Sequence, residues 1–243
     1  MNTADWNWPL VGRLLLSPLI AQAAWTTVWV AVVAQTIGTV LGFIFGPMQL
    51  MRNPLPRTLA GLYSWIFRGT PLLVQILFFY AVLPQLGIKF GVIESGLLAL
   101  GVNEGARMAE IVRAGLMSVD PGQSEAARSV GMSRLQTFRF VVLPQAFRII
   151  IPPLGNNFNY MLKATSLLAV ISVAELLRAS QQIAQSTTRP LEVYSVAAIY
   201  YLLMTTVWSV LQAALERYGR VGGRGRGEAK LTRLRQTLAS AGA

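Results

Sequence analysis

Four charged side chains at a spacing of three, Glu104, Arg107, Glu110 and Arg113, interrupt an otherwise apolar stretch. On a helix, residues three apart are close enough to pair. Charge inside a membrane-spanning helix is costly and faces a cavity, a partner or the bundle interior. Glu110 and Arg113 read as a self-satisfied salt-bridge pair, whereas Glu104 and Arg107 are candidates for contact with a ligand. A second polar group, Asn156, Asn157, Asn159 and Lys163, follows Pro152-Pro153. Consecutive prolines release backbone groups, which at membrane depth are tolerated where they are buried or line a cavity. Asparagine both donates and accepts, which suits a zwitterionic solute and equally suits hydrogen bonding between helices. The chain contains 0 Cys and 0 His, so thiol nucleophiles, imidazole bases, disulfides and Cys or His metal sites are excluded together. None of the singled-out residues reads as catalytic.

The elements that carry these residues are membrane helices. The chain has 243 residues, 53% hydrophobic and 13% charged, against about 25% charged in soluble domains. No charge occurs in residues 14–51, 69–88 or 193–215, and about 20 apolar residues suffice to cross the hydrocarbon core. The pattern predicts an all-α polytopic protein with five spanning helices, at about 24–48, 62–84, 93–117, 148–172 and 193–216. Residues 1–22 read as an outer, interfacial lead-in. Arg13, an apolar run and Ala21-Gln22-Ala23 imitate a secretory signal, but Asp5, Trp6 and Trp8 stand where a basic cluster belongs.

The net charge of +11 raises the question of nucleic acid, and the distribution of that charge answers it. Arg217, Arg220, Arg224, Arg226, Lys230, Arg233 and Arg235 follow the last apolar run, Arg52 and Arg57 lie in the first connection, and Arg128, Arg134 and Arg139 in the third. Basic residues collect in cytoplasmic loops, so the N-terminus is expected outside and the C-terminus inside. Residues 219–243 read as a basic, disordered cytoplasmic tail attracted to anionic headgroups.

The connection at 119–146 is too elaborate for a passive linker. Asp120 suits an N-cap, Pro121 the first helical position and Gln123 a return bond to the cap. Gly131 suits a left-handed stop, Ser133 with Gln136 makes a second capping box, and Pro144 marks a further break. Two short helices joined by a glycine describe either a docking element of fixed shape or an amphipathic hairpin on the membrane surface.

This connection resembles the EAA loop of ABC importer permeases: Glu125-Ala126-Ala127, three residues, Gly131, nine residues, Val141, one residue, Leu143-Pro144. Val141 stands where that family usually has Ile. Phe67-Arg68-Gly69-Thr70-Pro71-Leu72-Leu73-Val74-Gln75, Ala109-Glu110-Ile111-Val112-Arg113-Ala114-Gly115, Leu143-Pro144-Gln145-Ala146 and Lys163-Ala164-Thr165-Ser166-Leu167 narrow the resemblance to the polar amino-acid uptake permeases of the histidine/glutamine/arginine type. It extends over roughly residues 20–218 as several phrases in order, within a transmembrane domain set at 23–218.

The resemblance implies the type I importer permease fold and a multi-pass inner-membrane subunit that moves a polar amino acid. Glu125, Ala126, Ala127, Gly131, Leu143 and Pro144 would form the docking loop for the ATPase. The implied partners are a second permease subunit, identical or paralogous, two ATP-binding subunits and an extracytoplasmic solute-binding protein. ATP and Mg would be bound by the partner ATPase, with no cofactor in this chain. Consistent with that, no G-x-x-x-x-G-K-[ST] phosphate loop occurs in the sequence. The other classes are a self-contained secondary transporter, which an internal repeat would favour and the sequence lacks, and a membrane enzyme limited to carboxylate chemistry.

Overall fold

The computed structural model describes residues 6–220, with side chains through residue 216. Residues 1–5 and the expected basic tail from 221 onward lie outside the described residues. Every regular element among the described residues is helical.

The spine of the fold is a pair of crossing helices, α2 (Pro18–Met48) and α5 (Val92–Met117). On α2, Ala34, Gly38, Gly42 and Gly46 recur every fourth residue and all are buried. On α5, Gly101, Gly105 and Ala109 do the same. A Cβ on Gly46 would stand 2.8 Å from the Val112 Cβ, and one on Gly101 2.6 Å from the Ile37 Cγ2. Lipid is as apolar as the helix surface, so close backbone approach at small residues is what holds such a pair together. Val30, Ala31, Leu100, Met161 and Leu168 extend this contact into the main apolar core.

Ahead of the spine, α1 (Trp8–Leu15) is capped by Asn7, whose side chain accepts from the Leu10 N–H at 3.0 Å. The Asn7 N–H donates to Glu192 Oε1 at 3.2 Å, tying α1 to the last helix. The first spanning helix therefore begins at Pro18, earlier than the expected 24, because Pro18 is already suited to a first helical position.

Residues 62–84, expected as one helix, are not one. They fall within α3 (Pro54–Gly69) and α4 (Leu72–Leu77), the latter continued by a π turn, Phe78–Val82, and a 3-10 turn, Leu83–Leu86. The two parts are bent by 104°. Thr70 is extended at φ −111°, ψ 144°, as the residue before a proline prefers, and Pro71 brings no N–H to continue the ladder.

After α5 come α6 (Pro121–Ser129), α7 (Arg134–Thr137), a π turn at Phe138–Val142, α8 (Leu143–Ala164) and a 3-10 turn at Thr165–Ile171. The break expected at Pro144 does not occur. Pro144 falls in the first turn of α8, directly after the π turn, where a missing N–H costs little, and the Gln145 side chain donates to the Val141 carbonyl at 3.0 Å. Pro152 and Pro153 also lie inside α8. The last helix braces that turn: Gln212 Nε2 donates to the Pro152 carbonyl at 3.3 Å and Trp208 Nε1 to the Gly155 carbonyl at 2.8 Å. The result is a 38-residue helical run, Arg134–Ile171.

The chain closes with α9 (Leu176–Thr187) and α10 (Pro190–Arg220). Buried Glu175 caps α9, accepting from Leu177 N at 2.9 Å and Arg178 N at 2.7 Å, and takes the Tyr201 hydroxyl at 3.1 Å. Among the described residues, 3 helices are long and apolar enough to cross a membrane, or 4 if the bent pair is one span. Helix α5, the expected 93–117 segment, is not among them. Its charged residues Glu104, Arg107, Glu110 and Arg113 sit on a helix largely enclosed by its neighbours.

Candidate functional site

Arg107 emerges from α5 into a cavity of about 430 Å³ lined also by Phe67, Arg68, Thr70, Pro71, Leu72, Asn103 and Tyr160. Its guanidinium donates to the Tyr160 hydroxyl at 3.0 Å and stands 4.1 Å from the centre of the Tyr160 ring. The aromatic contact orients a delocalised cation without neutralising it. One wall is the broken backbone between α3 and α4; the other is α8. Asn103 lies 11 residues into the 26-residue α5, about 16 Å along its axis at 1.5 Å per residue, so the cavity sits near the middle of that helix.

The expected ion pair of Glu110 and Arg113 forms, with Arg113 Nε donating to Glu110 Oε1 at 3.1 Å. Glu110 also receives Arg68 Nη1 at 3.1 Å, which anchors the end of α3 to α5. Glu104 takes a different course from Arg107. It is wholly buried between α2 and α5, accepting from Gln35 Nε2 at 3.3 Å, and its Oε2 has no hydrogen-bond partner.

The asparagines of α8 divide. Asn156 Oδ1 accepts from Gln212 at 3.2 Å and Asn157 Nδ2 approaches the Met108 sulfur at 3.8 Å, both contacts between helices. Asn159 and Lys163 instead line an open groove of about 860 Å³ with Ser166, Tyr201, Thr205 and Ser209. Arg107 on one side and Asn159 and Lys163 on the other thus occupy two surfaces of the bundle, and Glu104, Asn156 and Asn157 belong to neither. Asn103, Gln75 and Tyr160 were not singled out from sequence. Gln75 alone carries a signal there, as an amide set among apolar residues in a charge-free run.

The connection after α5 is a shaped hairpin. Asp120 caps α6, accepting from Gly122 N at 2.7 Å. Gly131 ends the turn at φ +87°, where a side chain would be strained. Ser133 and Gln136 form a capping box, with bonds of 2.8 and 3.3 Å. The expected return bond from Gln123 is not formed; its backbone N–H bonds the Asp120 carbonyl instead. Ala127 is buried against the chain's own body, while Glu125, Ala126, Gly131 and Pro144 are exposed and Leu143 is partly covered. Val130 and Leu135, 79% and 75% exposed, give the hairpin an apolar tip.

Apolar helices thus surround a cavity that holds a cation, with a capped hairpin at one end. Residues 38–220 match the family model described as binding-protein-dependent transport system inner membrane component. The arginine transport system permease protein ArgU of Corynebacterium glutamicum is 39% identical over 237 residues, 91% of this chain and 75% of its own length. The glutamine transport system permease protein GlnP of Escherichia coli K12 is 36% identical over 217 residues, 88% of this chain and 96% of its own. A crystal structure of an amino acid ABC transporter with histidines superposes with a TM-score of 0.82 at 37% identity, over 88% of this chain and 99% of that one. The chain belongs to the binding-protein-dependent transport system inner membrane component family. It is a multi-pass inner-membrane permease subunit of an ABC importer, not an enzyme, and the ATPase is a separate subunit.

Proposed function

We propose that the chain carries a polar amino acid across the inner membrane, and that the Arg107 cavity receives the solute's carboxylate. The observation that carries this reading is the Arg107 guanidinium, held against Tyr160 in a cavity with no carboxylate in its lining. The relatives transport arginine and glutamine by name, which agrees with recognition of the group common to both. Asn159 and Lys163 flank the path on the α8 side; Glu104, Asn156 and Asn157 serve packing.

Glu125, Ala126 and Gly131 form the outward face of the loop that docks the ATPase, with Ala127 fixing it from behind and Leu143 and Pro144 joining it to α8. Small side chains at 126 and 131 permit a close approach, and the Glu125 carboxylate meets a basic group of the partner. The domain runs over 23–218, with the basic loops and C-terminus cytoplasmic and the N-terminus outside. A second permease subunit, identical or paralogous, completes the path, two ATP-binding subunits drive it, and an extracytoplasmic binding protein delivers the solute.

Proteoliposomes containing the assembled complex test this. Uptake of glutamine or arginine should require ATP and the binding protein, and should fall when Arg107 is replaced by Ala. Uptake without the ATPase would overturn the importer reading, and an unchanged Arg107→Ala variant would overturn the cavity.

A further inference from the structure

The break between α3 and α4 leaves carbonyls without helical partners, and in lipid each must be satisfied from elsewhere. Two buried amides do this. Gln75 Nε2 lies 2.9 Å from the Phe67 carbonyl, 3.1 Å from the Thr70 carbonyl and 2.7 Å from Thr70 Oγ1. Asn103 Nδ2 donates to the same Phe67 carbonyl at 2.9 Å and to Gln75 Oε1 at 3.1 Å. Gln75 does not line the Arg107 cavity; it faces a separate apolar recess behind the wall, with Ile66, Val74, Phe78 and Phe79. Asn103 does line the cavity.

An amide has two donors and one acceptor oxygen. Both Asn103 donors are committed, one to the broken backbone and one to Gln75, so Oδ1 is the polar atom left for the cavity. Arg107, four residues on and on the same side of α5, supplies donors to the same space. The wall therefore offers an acceptor and a cationic donor one helical turn apart, the complement of an α-ammonium beside an α-carboxylate. Two acceptors hold the Asn103 amide in this sense, the Phe67 carbonyl and Gln75 Oε1, and Gln75 also holds the Phe67 carbonyl in place through its own amide donor.

We infer that Gln75 is a positioning residue for solute recognition: from behind the cavity wall it locks the Asn103 amide so that its oxygen faces the ligand's ammonium group. This rests on the cavity being the ligand site. The test measures direct binding to the purified permease–ATPase complex without binding protein. The probes are L-glutamine and L-arginine, each compared with its analogue lacking the α-amino group. The wild-type complex should bind the amino acids at least about tenfold more tightly than the analogues. Gln75→Met should remove most of that preference, weakening the amino acids while leaving the analogues within about twofold. Asn103→Ala should abolish the preference, and an unchanged preference in that variant would overturn the inference even if Gln75→Met fails to assemble.

An equal loss for both probe types in Gln75→Met would mean a purely structural role and overturn the inference, as would an unchanged preference. Arg107→Ala separates the two levels. It should weaken amino acids and analogues alike, since both carry the carboxylate. If it weakens neither, or if the wild-type complex binds neither amino acid, the cavity reading falls and this inference with it. If Arg107→Ala weakens both while Gln75→Met keeps the preference, only the role of Gln75 falls.

Discussion

Gly38 of α2 faces Glu104 of α5 with no room for a side chain: a Cβ at position 38 would stand 2.6 Å from both the Cβ and the Cγ of Glu104. The two helices meet backbone to backbone here and at Gly42 and Gly46, and the rest of the bundle is assembled on that contact. Overpacking a tight contact costs about 1–3 kcal/mol. Gly38→Val and Gly42→Val should lower the thermal unfolding midpoint of the detergent-solubilised complex and its yield from membranes. Gly61→Val, whose added Cβ would meet nothing within 4 Å, is the control and should do neither.

Glu104 itself is a buried carboxylate with an orphaned oxygen, and the neighbouring Gln35 Oε1 is orphaned too. A buried acceptor without a donor costs about 1–3 kcal/mol. Glu104→Gln adds an amide donor beside both, so thermal stability should rise and uptake should be preserved. A loss of uptake with the fold intact would instead return Glu104 to the transport path.

Arg107→Ala removes the cavity's cation. Hydrogen bonds to charged groups are worth about 1.5–3 kcal/mol, so affinity for the transported amino acid should fall roughly 10- to 100-fold by binding titration. Arg107→Lys should recover only part of this, because an ammonium cannot both lie against Tyr160 and present a planar fork.

Gly131 adopts φ +87°, and a left-handed conformation costs a side-chain-bearing residue about 1–2 kcal/mol. Gly131→Val should distort the hairpin and reduce co-purification of the ATPase, while the membrane-embedded part keeps its unfolding midpoint. Ala126→Trp tests the exposed face without backbone strain and should give the same loss of co-purification.

Local chemistry was the most legible part of the sequence. The Asp120 cap, the Ser133–Gln136 box and the Gly131 reversal each follow from a few adjacent residues, and each is formed. What escaped depends on distant partners. Four prolines, Pro71, Pro144, Pro152 and Pro153, have the same capacity to break a helix, yet only Pro71, inside a segment expected as one helix, stands at a sharp bend. Pro144 is absorbed by a π turn, and Pro152 and Pro153 are braced by Trp208 and Gln212, about 60 residues further on. The ligand candidates suffered likewise. Arg107 and Glu104 look equivalent in sequence, and only the burial of Glu104 against Gly38 separates them. The glycine spacing on α2 is legible as a close-packing stripe, which the length of the apolar run alone does not convey.

The uninterrupted run Arg134–Ile171 has a mechanical consequence. Tyr160 and Leu135 stand on one rod, about 37 Å apart at 1.5 Å per residue, with a single compliant joint at the Phe138–Val142 π turn. The hairpin and the aromatic wall against which Arg107 rests therefore share one length of helix, so on the function proposed above a tilt at the Leu135 end would be felt at Tyr160.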